Sequence, residues 1–134
     1  MVRANLELMK VNHVEIDTQH KMMFSMFNVL VEAIRAGQTS KQLGLLFQEL
    51  LEYTEMHFKT EEGLMEQCAY PGLARHRSEH KKVYMQANEF KENDENGKAT
   101  LTVGIFIFLF DWMKNHILQE DMEFIQFLNQ IGVG

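Results

Sequence analysis

Apolar residues recur at spacings of three and four along four stretches of the chain, the signature of amphipathic helices. In the first, from about residue 18 to 36, Met23, Phe24, Phe27, Leu30, Val31 and Ile34 share one face. Asp17 is placed to cap its start and Gly37 to end it. The second stretch, 40 to 67, opens with Thr39 and Gln42 at capping-box spacing. Its stripe reads Leu43, Leu46, Phe47, Leu50, Tyr53 or Thr54, His57, Glu61 and Leu64. The third follows Pro71 and Gly72 and stops in the polar stretch 92 to 97, with Leu73, His76, His80, Val83, Tyr84, Ala87 and Phe90 inward. The fourth spans about 100 to 130. Its run Ile105, Phe106, Ile107, Phe108 has strand character, but a strand isolated among helices would lack a backbone partner. Short connections between the stretches make neighbours antiparallel. The expected fold is all-α: an up-down-up-down four-helix bundle over 17–131, preceded by an arm, 1–16, in one domain of 134 residues. Leu6, Leu8, Met9, Val11 and Ile16 are the arm residues able to pack on the bundle.

Polar residues interrupt these apolar stripes in a consistent way. His57 and Glu61 are i and i+4 on the second helix, and His76 and His80 are i and i+4 on the third. Residues four apart stand one turn above each other, so each pair can face one object. His20 continues the stripe of the first helix, and His116 faces inward from the fourth. Buried imidazoles without partners are costly. A lone inward histidine is usually a hydrogen-bonded core residue, but five on matching faces of four helices call for a shared partner. A metal supplies one, and imidazole suits Fe, Zn, Cu or Ni.

Composition narrows the classes of function. The net charge is −6, and no Lys/Arg cluster points to nucleic acid or an anionic membrane as partner. The longest apolar run, 101 to 110, falls short of the roughly 18 residues a membrane span needs. The first twenty residues lack a signal-peptide core. The single Cys68 excludes an internal disulfide and suits a reducing cytoplasm. Ten Met and ten Phe against one Pro describe a soft, helix-biased core.

Several stretches, in order and at matching spacing, resemble those of hemerythrins and bacteriohemerythrins. They are Ile16 to Lys21 (IDTQHK), His57 to Glu62 (HFKTEE), Tyr70-Pro71, His76 to His80 (HRSEH), and Trp112 to Ile117 (WMKNHI) followed by Asp121. The resemblance covers about residues 11 to 125. It implies a non-haem centre of two iron ions, oxo- or hydroxo-bridged. His76, His80 and His116 would ligate one iron, and His20 and His57 the other. Glu61 and Asp121 would bridge them. The second iron would be one protein ligand short, and O2 would bind there reversibly, in a carrier, store or supply role and not as an enzyme. By family position, Met23, Phe58, Trp112, Met113 and Ile117 would line the oxygen side. Read without the resemblance, Asp121 is an exposed carboxylate in an acidic stretch. It lies five residues from His116, on a different face of an ideal helix. If both bind metal, the fourth helix must bend, bulge or restart between Ile117 and Glu120.

Three other readings compete. An oxygen-, redox- or iron-sensing domain would share the site but signal to a partner protein. A zinc metallopeptidase is suggested by the HxxEH match at His76, Glu79 and His80, with Glu79 as base, although Glu79 should then point away from the face carrying both histidines. A ferritin-like oxidase would need Glu-x-x-His pairs, and none occurs. His13 departs from the family pattern. It reads either as an exposed arm residue or as a modifier of the open iron, folded over the bundle end near His20.

Overall fold

The computed structural model describes residues 13–98 and 100–132. These form helices α1 (Val14–Arg35), α2 (Ser40–Gln67), α3 (Leu73–Glu95), α4 (Val103–His116) and α5 (Met122–Gln130). A π-helical turn, Ile117–Asp121, joins the last two. Among the described residues there is no strand. The chain α4–π-turn–α5 acts as one long fourth helix of an antiparallel four-helix bundle. Contacts run α1 to α2, α2 to α3, α3 to α4 and α4 back to α1, so the helices stand around a square in chain order.

The turns explain where each helix stops. Gln38 N–H donates to the Ala33 carbonyl and Gly37 N–H to Ile34, a Schellman motif with Gly37 at φ +76°. Lys98 and Gly97 repeat it on Asn93 and Asp94, with Gly97 at φ +70°. Tyr70 and Ala69 repeat it on Met65 and Glu66, but here the left-handed position, φ +54°, is held by an alanine. An L side chain in that region costs roughly 1–2 kcal/mol. Gly72 has a different reason. A Cβ there would lie 2.7 Å from the Tyr70 ring, which turns back to pack on Phe124 and Phe127.

Three expectations need correction. The first helix begins at Val14, four residues before the periodicity suggested, and its cap is His13, not Asp17. The His13 Nδ1 accepts from the Ile16 amide at 3.3 Å, and Asp17 reaches back to accept from the His13 amide at 3.2 Å. Imidazole is an uncommon cap, so the ordinary capping residue was read instead. Residues 14–16 therefore belong to the helix, not to an arm, and Ile16 is fully buried. Leu6, Leu8, Met9 and Val11 lie outside the described residues. Of the two α2 candidates left open, Tyr53 or Thr54, it is Thr54 that is buried. The fourth helix starts at Val103 behind Thr102, whose hydroxyl accepts from the Ile105 amide.

The core below the polar layer is aromatic. Phe24, Phe27 and Phe110 meet edge to face or tilted, and Phe47 packs on Phe106. The capping box of α2 is complete, with Thr39 N–H donating to Gln42 Oε1 at 3.0 Å and Gln42 N–H to Thr39 Oγ1 at 3.2 Å.

Candidate metal centre

Each helix delivers its polar pair or single histidine to one layer of the bundle. Five imidazoles and two carboxylates are there, all buried: His20, His57, Glu61, His76, His80, His116 and Asp121. The π-turn is what brings Asp121 in. Five residues of ordinary helix would rotate it about 140° away from His116. With one residue accommodated in the wider turn, Asp121 Oδ1 lies 3.2 Å from His116 Nε2. The bulge expected between Ile117 and Glu120 is therefore present.

The donor atoms form two groups that share the carboxylates. In one, Glu61, His76, His80, His116 and Asp121 each offer an atom within 4.8 Å of the others. In the second, His20, His57, Glu61 and Asp121 do the same. Glu61 turns Oε1 toward His80 Nε2 (3.4 Å) and Oε2 toward His57 (3.5 Å) and His20 (3.7 Å). Asp121 turns Oδ1 toward His76 (2.9 Å) and His116 (3.2 Å), and Oδ2 toward His20 (3.3 Å). His80 and His116 bring their Nε2 atoms to 3.0 Å. Donors about 2.1 Å from one ion and at right angles to each other lie about 3 Å apart, so these spacings suit metal coordination.

Hydrogen bonding within the protein does not satisfy the layer. Both ring nitrogens of His20, both oxygens of Glu61 and Oδ2 of Asp121 are buried without a hydrogen-bond partner among the described residues. Buried polar atoms are nearly always paired, and a metal pair between the two groups would use His20 Nε2 and all three oxygens. The charges are mutually dependent. Burial disfavours a charged His20, but the carboxylates of Asp121 and Glu61 prevail and push its pKa up to about 9. At 3.3 and 3.7 Å and out of hydrogen-bond alignment, those contacts act as ion pairs. Burial would raise Glu61, yet the facing histidines, His57 first, hold its carboxyl well below the usual range. Burial and the charge of Glu61 would likewise raise Asp121. His116, His20 and His76 outweigh them and keep it low.

A second ring of contacts was not read from the sequence. His57 Nδ1–H donates to Gln19 Oε1 at 2.7 Å, and His80 Nδ1–H to Glu62 Oε2 at 2.8 Å. His116 Nδ1 lies 3.3 Å from Glu79 Oε2. With the proton on Nδ1, each Nε2 keeps its lone pair for the centre of the layer. Glu79 does turn away from His76 and His80, as expected, but it meets His116 of the facing helix. The zinc-peptidase role of a base beside its own two histidines therefore has no geometric support.

Of the residues expected on the oxygen side, Phe58 and Trp112 touch ligand histidines, and the other three are buried. Met23 and Ile117 are fully enclosed, Phe58 and Met113 are buried, and Trp112 is half-buried. Phe58 stacks on His80, centroids 3.8 Å apart and nearly parallel, and Trp112 stacks on His116 at 4.7 Å. His13 lies in neither donor group.

Comparison with known proteins agrees with this geometry. The family model of the hemerythrin HHE cation binding domain matches residues 12–128. The bacteriohemerythrin of Methylococcus capsulatus is 33% identical over 105 residues, 78% of this chain and 79% of its own. That of Stenotrophomonas maltophilia is 31% identical over 112 residues, 81% and 70% of the two chains. A crystal structure of wild-type hemerythrin superposes with TM-score 0.81 at 31% identity, covering 85% of this chain and 87% of that one. The fold, the buried His/Glu/Asp layer and these matches together place the chain in the hemerythrin family.

Proposed function

We propose that this chain binds O2 reversibly at a centre of two iron ions. His76, His80 and His116 would hold one iron, His20 and His57 the other, and Glu61 and Asp121 would bridge them. The observation that carries this reading is the division of each carboxylate. One oxygen of Glu61 and one of Asp121 face the three-histidine group, and the other oxygens face the two-histidine group. A single ion would leave half of these oxygens buried and unpaired. The iron pair supplies the electrons that hold O2 when it is bound.

The chain's own residues account for the rest. Histidine fixed as the Nδ1–H tautomer keeps the site rich in neutral donors, which suits Fe(II). The second group has one protein ligand fewer, and an open position is where a small ligand would bind. Phe58, Trp112, Met113, Met23 and Ile117 would wall that position and exclude water. One turn along the bundle lies a cavity of about 30 Å³ bordered by Phe27, Leu50, Thr54, Val83, Leu109 and Met113. That is above the roughly 10–15 Å³ one small molecule requires, and its apolar lining suits a diatomic gas. His13, at the head of the helix that carries His20, is proposed only as a modifier of access. With O2 as ligand, the protein would act by binding, in the reducing cytoplasm that Cys68 suits.

The test is an oxygen titration of the anaerobically iron-loaded protein. Uptake of one O2 per two irons, released again as the oxygen pressure is lowered, supports the proposal. Stoichiometric and irreversible oxidation of the iron, without release, overturns it.

A further inference from the structure

The imidazoles of the two donor groups are backed differently. Behind the three-histidine group stand carboxylates: Glu62 on His80 at 2.8 Å and Glu79 beside His116 at 3.3 Å. Behind the two-histidine group stands one neutral amide, Gln19 on His57 at 2.7 Å, while His20 Nδ1 has no partner among the described residues. Each carboxylate is itself tied to a surface arginine. Arg77 Nε lies 3.4 Å from Glu62, and its NH2 group 3.0 Å from Glu66. Arg75 Nε lies 3.7 Å from Glu79, and its NH2 group 2.6 Å from Glu120. Both arginines are at least half exposed, whereas the imidazoles they act on are buried.

An imidazole whose N–H is held by a carboxylate gains negative character on the ring and becomes a stronger donor through its other nitrogen. A stronger, more negative donor favours the higher charge of Fe(III) over Fe(II). An amide oxygen accepts the same proton without bringing charge. We propose that Glu62 and Glu79, moderated by Arg77 and Arg75, set the reduction potential of the three-histidine iron below that of the two-histidine iron. Gln19 keeps the oxygen-side iron ferrous-favouring. Glu62, Glu79 and Gln19 are then positioning residues that tune the pair in opposite senses. Glu79, the glutamate of the HxxEH run, acquires a role toward the facing helix that its motif does not suggest. This inference rests on the di-iron reading above.

The experiment is a spectroelectrochemical titration of iron-loaded protein, with iron counted in every sample. Glu62→Gln keeps the shape and the acceptor but removes the charge. It should weaken the preference for Fe(III) about tenfold, the lower end of what outer-shell loss does to metal affinity, and so raise one midpoint potential by about 59 mV. Arg77→Met frees the carboxylate's charge and should shift the same potential downward. Gln19→Glu should lower the other potential. Glu62 and Arg77 are partly exposed, so folding is not at stake in that pair. Potentials that stay put, or that move the same way in Glu62→Gln and Arg77→Met while two irons remain bound, overturn the inference alone. A wild-type protein that takes up fewer than two irons overturns the di-iron reading and this inference with it.

Discussion

The π-turn invites a deletion that would ruin an ordinary helix. Removing one residue from an α-helix rotates everything beyond it by about 100°. At the end of the turn lies Asp121, and beyond it the apolar face Phe124, Ile125 and Leu128, all buried. Losing that phase would expose three large side chains, at roughly 1.5–3 kcal/mol each, or about 5–9 kcal/mol in all. A domain with 5–15 kcal/mol of total stability would not tolerate such a loss. Here, however, the π-turn already holds one residue more than an α-turn. Deleting Leu118, which is 44% exposed, leaves His116 and Asp121 four apart on a regular helix and keeps the downstream face inward. The expected result is a folded variant whose melting temperature lies within a few degrees of wild type and whose metal content is unchanged. As a contrast, inserting one alanine between Lys114 and Asn115 should rotate the ligands out of phase and abolish both folding and metal uptake. Thermal melts by circular dichroism, with metal analysis alongside, decide the matter. A deletion variant that unfolds or binds no metal while Leu118→Ala behaves normally would show that the π-turn holds no removable residue.

Four further outcomes follow from particular contacts. In the metal-free protein, His20 has its pKa raised from 6.5 to about 9, worth about 3 kcal/mol. That contribution is complete below about pH 6.5 and is lost as pH rises through about 9, so the apo protein should melt lower at pH 10 than at pH 7. Glu61 and Asp121 are depressed, so their contribution fades at the acid end, and a melting temperature flat across both limbs would contradict these assignments. Ala69→Gly relieves the left-handed alanine and should add about 1 kcal/mol to stability in denaturant unfolding, whereas Gly72→Ala meets the Tyr70 ring at 2.7 Å and should cost about 1–3 kcal/mol. His13→Ala should cost about 1 kcal/mol through the lost cap, and His13→Asn should restore it. If autoxidation of the iron-loaded protein is the same in both variants and in wild type, the modifier role of His13 is excluded.

The parts of this molecule that repeat were legible in its sequence. The stripes of α1, α2 and α3 and the inward pairs His57/Glu61 and His76/His80 obey the helical period, so phase alone placed them. Asp121 breaks the period, and only the family resemblance argued for it. That break was itself informative, because a residue needed on the wrong face implies a bulge in the backbone. The start of α1 was misread because His13 caps with a ring nitrogen, a role usually taken by a small oxygen-bearing side chain. Gln19 and Glu62 were not singled out by the pattern, and Glu79 was singled out only as the base of an HxxEH match, not as the partner of His116. They sit beside the stripes among solvated positions, and each meets an imidazole of a neighbouring helix, a relation that no spacing within one helix reports.

Whether two ions share Glu61 and Asp121 is decided by diffraction from iron-loaded crystals at the iron absorption edge. Two anomalous peaks per chain are expected. One would lie among His76, His80 and His116 and the other between His20 and His57, with one oxygen of each carboxylate toward each peak. A single peak, or two peaks with either carboxylate turned wholly to one ion, would contradict that sharing.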